Sequence, residues 1–335
     1  MKKESINIYD IAKMAGVSIA TVSRVLNDSD KVSEKTRIRV LDIIREVGYE
    51  PNVFAQGLGL NTMHTVGILV PDISDIYMSS AVAYLENALA EYQYHCLLGC
   101  SGFTPEAKKA HIRMLLSKHT DALILVGSTY AGTGKDPAET DYIREAAKQV
   151  PVFVINGIVD GDNIYSAAAE DEAAEFSTAQ MLIRKGYRDM IFLTDSRSYS
   201  SVMKRTGYEQ AMKSNGLKPR HYYVEKSIEG VKKFLTDNPD ISFNAVMAAN
   251  DTIGVGVVKY ALEKGMSIPG DLAVVGYNDS VLAKACEPEL SSVDNHQEKI
   301  CHDTVENLMC RLGDEGDNAR RRFSVSCELI ERGTT

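Results

Sequence analysis

The sequence predicts a small all-α N-terminal head followed by a larger α/β core of two doubly wound parallel-sheet subdomains. Within residues 7–47, apolar side chains recur three and four positions apart, as they do in amphipathic helices. From residue 65 onward, eight short apolar runs alternate with amphipathic segments. This alternation is typical of parallel strands that are covered by helices on both faces. The length of 335 residues allows two or three domains.

Each helix of the head has a recognisable start or stop. Asn7 is expected to cap the first helix, and Gly16 ends it, because glycine readily adopts the left-handed conformation that closes a helix. Ser18 is the expected N-cap of the second helix. The third helix is expected to run from Ser33 to Gly48.

The second predicted helix carries short polar side chains on its outward face. Two helices joined by a tight glycine-containing turn match a helix-turn-helix, whose second helix lies in the DNA major groove. Serine and threonine hydroxyls suit phosphate contacts, and Arg24 can form a bidentate pair with guanine. On this pattern alone, a three-helix domain with a solvated polar face remains the alternative.

Composition and charge narrow the function classes. The net charge is −9, but residues 1–60 carry nine basic and eight acidic side chains, so the acidic excess lies in the core. Such a head is compatible with DNA binding, because counterion release depends on the local contact face. No apolar run reaches membrane-spanning length, and the N-terminus lacks the apolar stretch of a signal peptide, so we expect a cytoplasmic protein.

Enzymatic and metal-binding motifs are missing from the sequence. It contains no GxSxG, phosphate loop or HExxH, and its six cysteines form no CxxC pair. We therefore predict no catalytic residue, no metal and no cofactor.

Several stretches resemble the LacI/GalR family of bacterial transcription regulators. The strongest are "IYDIAKMAGVSIATVSRVLND" and "VSEKTRIRVLDIIREVGYEPNVFAQGL", and the resemblance continues through "VGILVPDISDIY", "AANDTIGVG", "IPGDLAVVGYND" and "PELSSV". The resemblance implies a homodimeric regulator, most simply a repressor, on a pseudo-palindromic double-stranded operator. It implies a core like that of periplasmic sugar-binding proteins, with a small-molecule effector, a sugar or sugar derivative, between the lobes. The alternative is a core regulated by a protein partner.

The resemblance also assigns DNA contacts. Ile19 and Ala20 fall on specificity-setting positions but are apolar, so direct readout should depend on Arg24. In the hinge, Asn52 and Ala55 match the family pattern, and Leu58 falls on the residue that wedges into the minor groove. Positions implied to contact the phosphate backbone are Tyr9, Ser18, Thr21, Ser23, Asn27, Ser33 and Thr36.

Effector contacts are expected at the carboxyl ends of the core strands, where ligands of such sheets bind. Lys204 replaces an arginine that is usual in the family, and "HYYVEKSIEGVKKFL" is shorter than the family segment that commonly carries a stacking aromatic. With no tryptophan in the chain, another Tyr or Phe must supply that platform, or it is absent. The predicted effector residues are Asp75, Tyr77, Ser128, Asn156, Lys204, Asn250, Asp251 and Asp279.

The predicted domain boundaries follow from these assignments. Residues 1–50 form the helix-turn-helix domain, 51–63 the hinge and 64–335 the core. The first core subdomain comprises about 64–160 plus 291–320. The second comprises about 161–290 plus 321–335.

Overall fold

The computed structural model describes residues 6–26, 29–49, 62–313 and 316–335. It divides the chain into two compact units, Met1–His64 and Thr65–Thr335. Within the described ranges, no helix is both long and apolar enough to cross a membrane.

The head contains the three expected helices: α1 (Ile8–Ala15), α2 (Ile19–Leu26) and α3 (Glu34–Val47). At the start of α1, the Asn7 side chain accepts hydrogen bonds from two backbone amides, and the Asp10 carboxylate accepts one from the Asn7 amide at 2.9 Å. This reciprocal pair is a capping box. Gly16 and Gly48 end α1 and α3 in the left-handed conformation, at φ of +61° and +60°.

The head is held together by a small apolar core. Its fully buried side chains come from all three helices and include Ile11, Val22, Val25 and Val40. Val22 and Val25 lie on one side of α2, so the other side of that helix stays in contact with solvent. The spacing of apolar residues therefore determines which face of α2 is buried and which is exposed.

The first lobe of the core is built on a six-stranded, wholly parallel sheet in the order β11-β5-β4-β3-β1-β2. Helices pack on both faces of this sheet, over two apolar clusters. In chain order its elements are β1 (Thr65–Val70), α4 (Ile76–Glu91), β2 (His95–Cys100), α5 (Pro105–Leu116), β3 (Ala122–Val126), α6 (Asp141–Ala147), β4 (Val152–Ile155) and β5 (Ile164–Ala169), joined later by α12 (Gln297–Leu312) and β11 (Arg322–Val325). Short 3-10 turns lie at Ser128–Ala131, Pro137–Thr140 and Gly316–Asn318.

The second lobe repeats the plan in the order β12-β10-β9-β8-β6-β7, with only the β10–β12 pair antiparallel. It too is covered on both faces. Its elements are α7 (Asp171–Arg184), β6 (Met190–Thr194), α8 (Tyr199–Ser214), β7 (His221–Tyr223), α9 (Ile228–Asp237), β8 (Ala245–Ala248), α10 (Asp251–Glu263), β9 (Ala273–Tyr277), α11 (Val281–Ala285), β10 (Ser291–Asp294) and β12 (Glu328–Ile330).

The lobes do not divide where the sequence predicted. The chain crosses after β5, after β10 and between β11 and β12, so β5 and β11 belong to the first sheet and β10 to the second. The predicted boundaries at 161, 291 and 321 are therefore each displaced by one strand. β5 reads "IYSAAA", and alanine has a low strand propensity. Pairing with β4 on one side and β11 on the other makes it a strand.

Candidate functional site

The exposed face of α2 carries the side chains predicted to read DNA bases. Ile19, Ala20 and Arg24 are exposed, and Thr21 and Ser23 are partly exposed. Ile19 and Ser23, like Ala20 and Arg24, are four residues apart and therefore share one side of the helix. A helix that offers two apolar contacts and one guanidinium can meet thymine methyl groups and one guanine.

Hydroxyl groups mark the starts of α2 and α3. The Thr21 amide donates to Ser18 Oγ at 3.2 Å, and the two hydroxyl oxygens lie 2.9 Å apart. Ser33 and Thr36 repeat the arrangement, with their hydroxyl oxygens also 2.9 Å apart. Helix N-termini with exposed hydroxyls are favourable places for a phosphate.

Of the remaining predicted DNA contacts, the structure describes only Tyr9. Tyr9, on α1, is 66% exposed. Asn27, Asn52, Ala55 and Leu58 lie outside the described residues, so their predicted roles stay predictions.

In the core, a cleft with a volume of about 490 Å³ lies where the carboxyl ends of strands from both lobes meet. Parallel sheets commonly bind ligands at this edge. The cleft brings together six of the eight residues predicted to bind an effector: Asp75, Tyr77, Ser128, Asn156, Lys204 and Asn250.

On the first-lobe wall, polar groups are held by short-range contacts. Asp75 is the N-cap of α4 and accepts a hydrogen bond from the Met78 amide at 3.1 Å. The Tyr77 hydroxyl accepts one from the side-chain amide of Asn156, and burial raises the pKa of Tyr77 well above its usual value. The side-chain oxygen of Asn156 is buried and has no hydrogen-bond partner among the described residues, so its hydrogen-bonding capacity is unused there.

Among the described residues, two polar contacts join the lobes across the cleft. Asp75 forms an ion pair with Lys226, which follows β7 in the second lobe. Ser128 Oγ donates to Ser198 Oγ at 2.8 Å. A ligand that enters the cleft either replaces these two contacts with its own or leaves them intact and binds beside them.

On the second-lobe wall, Lys204 connects the cleft to the lobe interior. Its side chain is 6% exposed, its ammonium group donates to the Ala249 carbonyl at 2.9 Å, and it lies 3.5 Å from the centroid of the Tyr277 ring. The Tyr277 hydroxyl donates to Asp171 at 2.6 Å and lies 3.4 Å from Cys327 Sγ. Asp171 follows the first crossing between the lobes, and Cys327 lies in the third. A path of direct contacts thus runs from the cleft to two of the segments that join the lobes.

Glu175 lies one turn beyond Asp171 on α7 and is 1% exposed. Burial raises the pKa of its carboxyl to about 8, although the positive charge of Lys204 opposes the shift. A carboxyl in this environment keeps its proton near neutral pH, since removing a charge from water is costly.

Two predicted effector residues, Asp251 and Asp279, do not line the cleft, which corrects the prediction for them. Asp251 is 2% exposed, and its carboxylate accepts hydrogen bonds from the Ser280 amide at 2.7 Å and from Ser292 Oγ at 2.5 Å. Asp279 pairs with Arg332 at 2.6 Å and with Lys284 at 3.2 Å. Both carboxylates bind groups that connect the end of β9 to neighbouring segments of the second lobe, and neither lines the cleft.

Several residues that line the cleft were not predicted from the sequence. The stretch "DSRSYSS" directly follows β6, so the strand-end rule that identified Asn250 could have identified it too. Phe103 sits in the short connection that follows β2 and gave no comparable signal. The missed lining residues include Asp72, Phe103, Asp195, Ser196, Ser198, Ser200, Ser201, Lys226 and Asn278.

Known proteins resemble this chain in both units. The family model for bacterial regulatory proteins of the lacI family matches residues 7–52, and that for a periplasmic binding protein-like domain matches residues 179–335. A similar protein is an HTH-type transcriptional regulator of Lachnoclostridium phytofermentans, 39% identical over 98% of this chain and 99% of that protein. The regulator RegA of Clostridium saccharobutylicum is 31% identical, again over 98% of this chain and 99% of that protein.

Solved structures agree on the fold. A lac repressor dimer bound to operator and the anti-inducer ONPF superposes with a TM-score of 0.89 at 23% identity, covering 99% of each chain. The complex of the regulator CelR with cellobiose gives a TM-score of 0.70 at 24% identity, covering 98% of this chain and 100% of that one. With a helix-turn-helix head, a two-lobed core and full-length relatives at this identity, the chain belongs to the lacI family of bacterial regulatory proteins and is a DNA-binding transcriptional regulator.

Proposed function

We propose that this regulator is a repressor that binds a pseudo-palindromic operator as a homodimer and responds to a sugar or sugar derivative bound in the cleft. The observation that carries the proposal is the cleft itself, which combines polar side chains from both lobes with direct contacts between them. A site made by two lobes differs between their open and closed arrangements. A ligand can therefore bind one arrangement more tightly and shift the population toward it.

The lining favours a hydroxyl-rich ligand. Asn156 and Asn250 offer amides, Asp195 offers a carboxylate, and the serines after β6 offer hydroxyls. Together these groups supply both donors and acceptors of hydrogen bonds, as sugar hydroxyls require. The cellobiose bound by CelR supports the same ligand class here.

The effect of a bound ligand on DNA binding would be transmitted through the segments that join the lobes. Lys204 and Tyr277 link the cleft to Asp171 and Cys327 by direct contacts. A change in lobe arrangement would alter the spacing of the two heads in a dimer, and operator half-sites demand a defined spacing. By the family resemblance, Leu58 would enter the minor groove at the operator centre.

The DNA-binding part of the proposal is tested on Arg24. An operator is first selected from random-sequence duplexes with the unaltered protein, and Arg24→Ala is then titrated against it and its single-base variants. We expect a loss of about 1–3 kcal/mol and relaxed specificity at one base pair, because a guanidinium–guanine contact is removed. The control is Arg45→Ala, an exposed arginine on α3 paired with Asp42. Unchanged discrimination at every position would remove Arg24 from base readout.

The effector part is tested with a sugar panel. Thermal shift identifies sugars that stabilise the protein, and anisotropy then measures operator affinity with and without each of them. A stabilising sugar that weakens operator binding supports the proposal. A panel in which no sugar changes either quantity contradicts the sugar effector and favours regulation by a protein partner.

A further inference from the structure

An aromatic ring in the cleft is left in contact with water. Phe103, in the connection between β2 and α5, lines the cleft on the first-lobe side and is 63% exposed. Leaving a phenyl ring in water forgoes the free energy that its burial would provide. A ring exposed inside a cleft is positioned to be covered by a ligand.

The backbone on both sides of Phe103 is anchored. The Ser101 amide donates to the Val70 carbonyl at 2.8 Å and the Gly102 amide donates to the Pro71 carbonyl at 2.9 Å, so the β1–β2 pairing continues past both strands. On the other side, Thr104 caps α5 by accepting a hydrogen bond from the Ala107 amide at 3.3 Å. Phe103 is the single residue between these anchors. A ligand that covers its ring does not have to order the backbone, which reduces the entropic cost of binding.

The turn into Phe103 is fixed as well. Ser101 is 2% exposed, and its hydroxyl oxygen lies 2.7 Å from the Tyr130 hydroxyl. Gly102 has φ of +66°, a left-handed conformation that favours glycine. The chain therefore leaves the sheet edge at a defined point, immediately before the exposed ring.

The second-lobe wall carries polar groups that can form further hydrogen bonds with a ligand. Ser200 is 8% exposed, lines the cleft, and its hydroxyl makes no hydrogen bond within the described part of the chain. Asp195 and Asn278 line the same wall. The cleft thus combines an apolar ring on one lobe with polar groups on the other. A sugar ring has an apolar C–H face and a polar rim, which matches this arrangement.

We infer that Phe103 is the stacking platform of the effector site and that the effector is a pyranoside whose C–H face lies on this ring. Its hydroxyls bind the polar side chains of the second lobe. Phe103 then provides the aromatic surface in the cleft, since no Tyr or Phe of residues 221–235 lines it. The inference rests on the proposed function, because it assumes a sugar in the cleft.

The test uses the absence of tryptophan from the sequence. In Phe103→Trp, the single indole reports directly on what covers position 103. The protein is titrated with methyl glucosides, methyl galactosides and cellobiose, by fluorescence and by calorimetry. We expect saturable changes in indole emission with the Kd that calorimetry gives.

Affinity measurements complete the test. Phe103→Ala should weaken binding of the same sugar about tenfold or more, since most of a phenyl contact is lost. Phe103→Tyr keeps the ring and should bind within about twofold of the unaltered protein. The matched control is Tyr92→Ala, an exposed aromatic of the first lobe outside the cleft lining, which should leave sugar affinity unchanged.

The outcomes separate this inference from the proposed function. If the unaltered protein binds a sugar and Phe103→Ala binds it equally well, the platform is overturned while the sugar effector stands. If no sugar in the panel binds the unaltered protein, the sugar effector and the platform are overturned together, and the DNA-binding role is untouched.

Discussion

The two walls of the cleft are built in different ways. On the first lobe, polar groups are held by local devices such as the α4 cap at Asp75 and the Asn156–Tyr77 hydrogen bond. On the second lobe, Lys204 is embedded above Tyr277, whose hydroxyl reaches segments that join the lobes. We infer that the first wall is suited to selecting a ligand and the second to transmitting its presence.

The largest expected effect is on the second wall, with Lys204→Met. Methionine keeps the length of the side chain but removes the charge and its hydrogen bond to Ala249. We expect the free energy of unfolding to fall by about 4 kcal/mol. The buried Ala249 carbonyl loses a charged donor, at about 1.5–3 kcal/mol, and the desolvated cation–π contact with Tyr277, at about 2 kcal/mol, is lost as well. Denaturant unfolding measures this.

The matched control is Lys226→Met, which breaks the ion pair between the lobes. Lys226 has 43% of its side chain exposed, so its removal should cost less than about 1 kcal/mol. Equal losses for the two variants would contradict the difference between the walls.

The next effect is a pH dependence from Glu175. Burial raises the pKa of its carboxyl to about 8, while in the unfolded chain it returns to the usual value near 4.5. Between these values the folded state binds more protons than the unfolded state, so its contribution to stability falls as pH rises. Glu175→Gln should remove this fall, on the order of 3 kcal/mol between pH 5 and 8.

Unfolding free energies at pH 5 and pH 8 test this prediction, with Glu91→Gln as the control at an exposed position of α4. A Glu175→Gln variant that loses stability with pH as steeply as the unaltered protein would show that Glu175 does not hold its proton in the folded state.

The smallest effect, and the sharpest for the transmission role, is expected for Tyr277→Phe. It removes the hydroxyl that contacts Asp171 and Cys327 but keeps the ring under Lys204. We expect a stability loss of about 1–2 kcal/mol, as for a buried hydrogen bond. Effector affinity should change little, while the effect of the bound sugar on operator affinity should shrink. A variant that transmits normally would exclude this contact path.

The helices of the head and most core strands could be predicted from the sequence. Caps such as Asn7 and Gly16 act within one helical turn, and apolar runs such as "ALILV" become buried strands in almost any surrounding. The lobe boundaries could not be predicted, because the alanine-rich β5 owes its conformation to pairing with β4 and β11. Asp251 was misplaced for a related reason, since its direction depends on donors at Ser280 and Ser292, distant in sequence.

Local spacing and capping encode the three helices of the head and the alternation of strands and helices in the core, so these elements follow from the sequence. Which strand-end residues face the cleft depends on how distant segments pack, as do the contacts of Lys226 and Ser198 with the opposite lobe and the exposure of Phe103 there. The physical reason is that a ligand site is a relation between segments far apart in the chain. Packing and hydrogen bonds between distant segments decide which side chains enter the site, and a local sequence pattern does not contain this information.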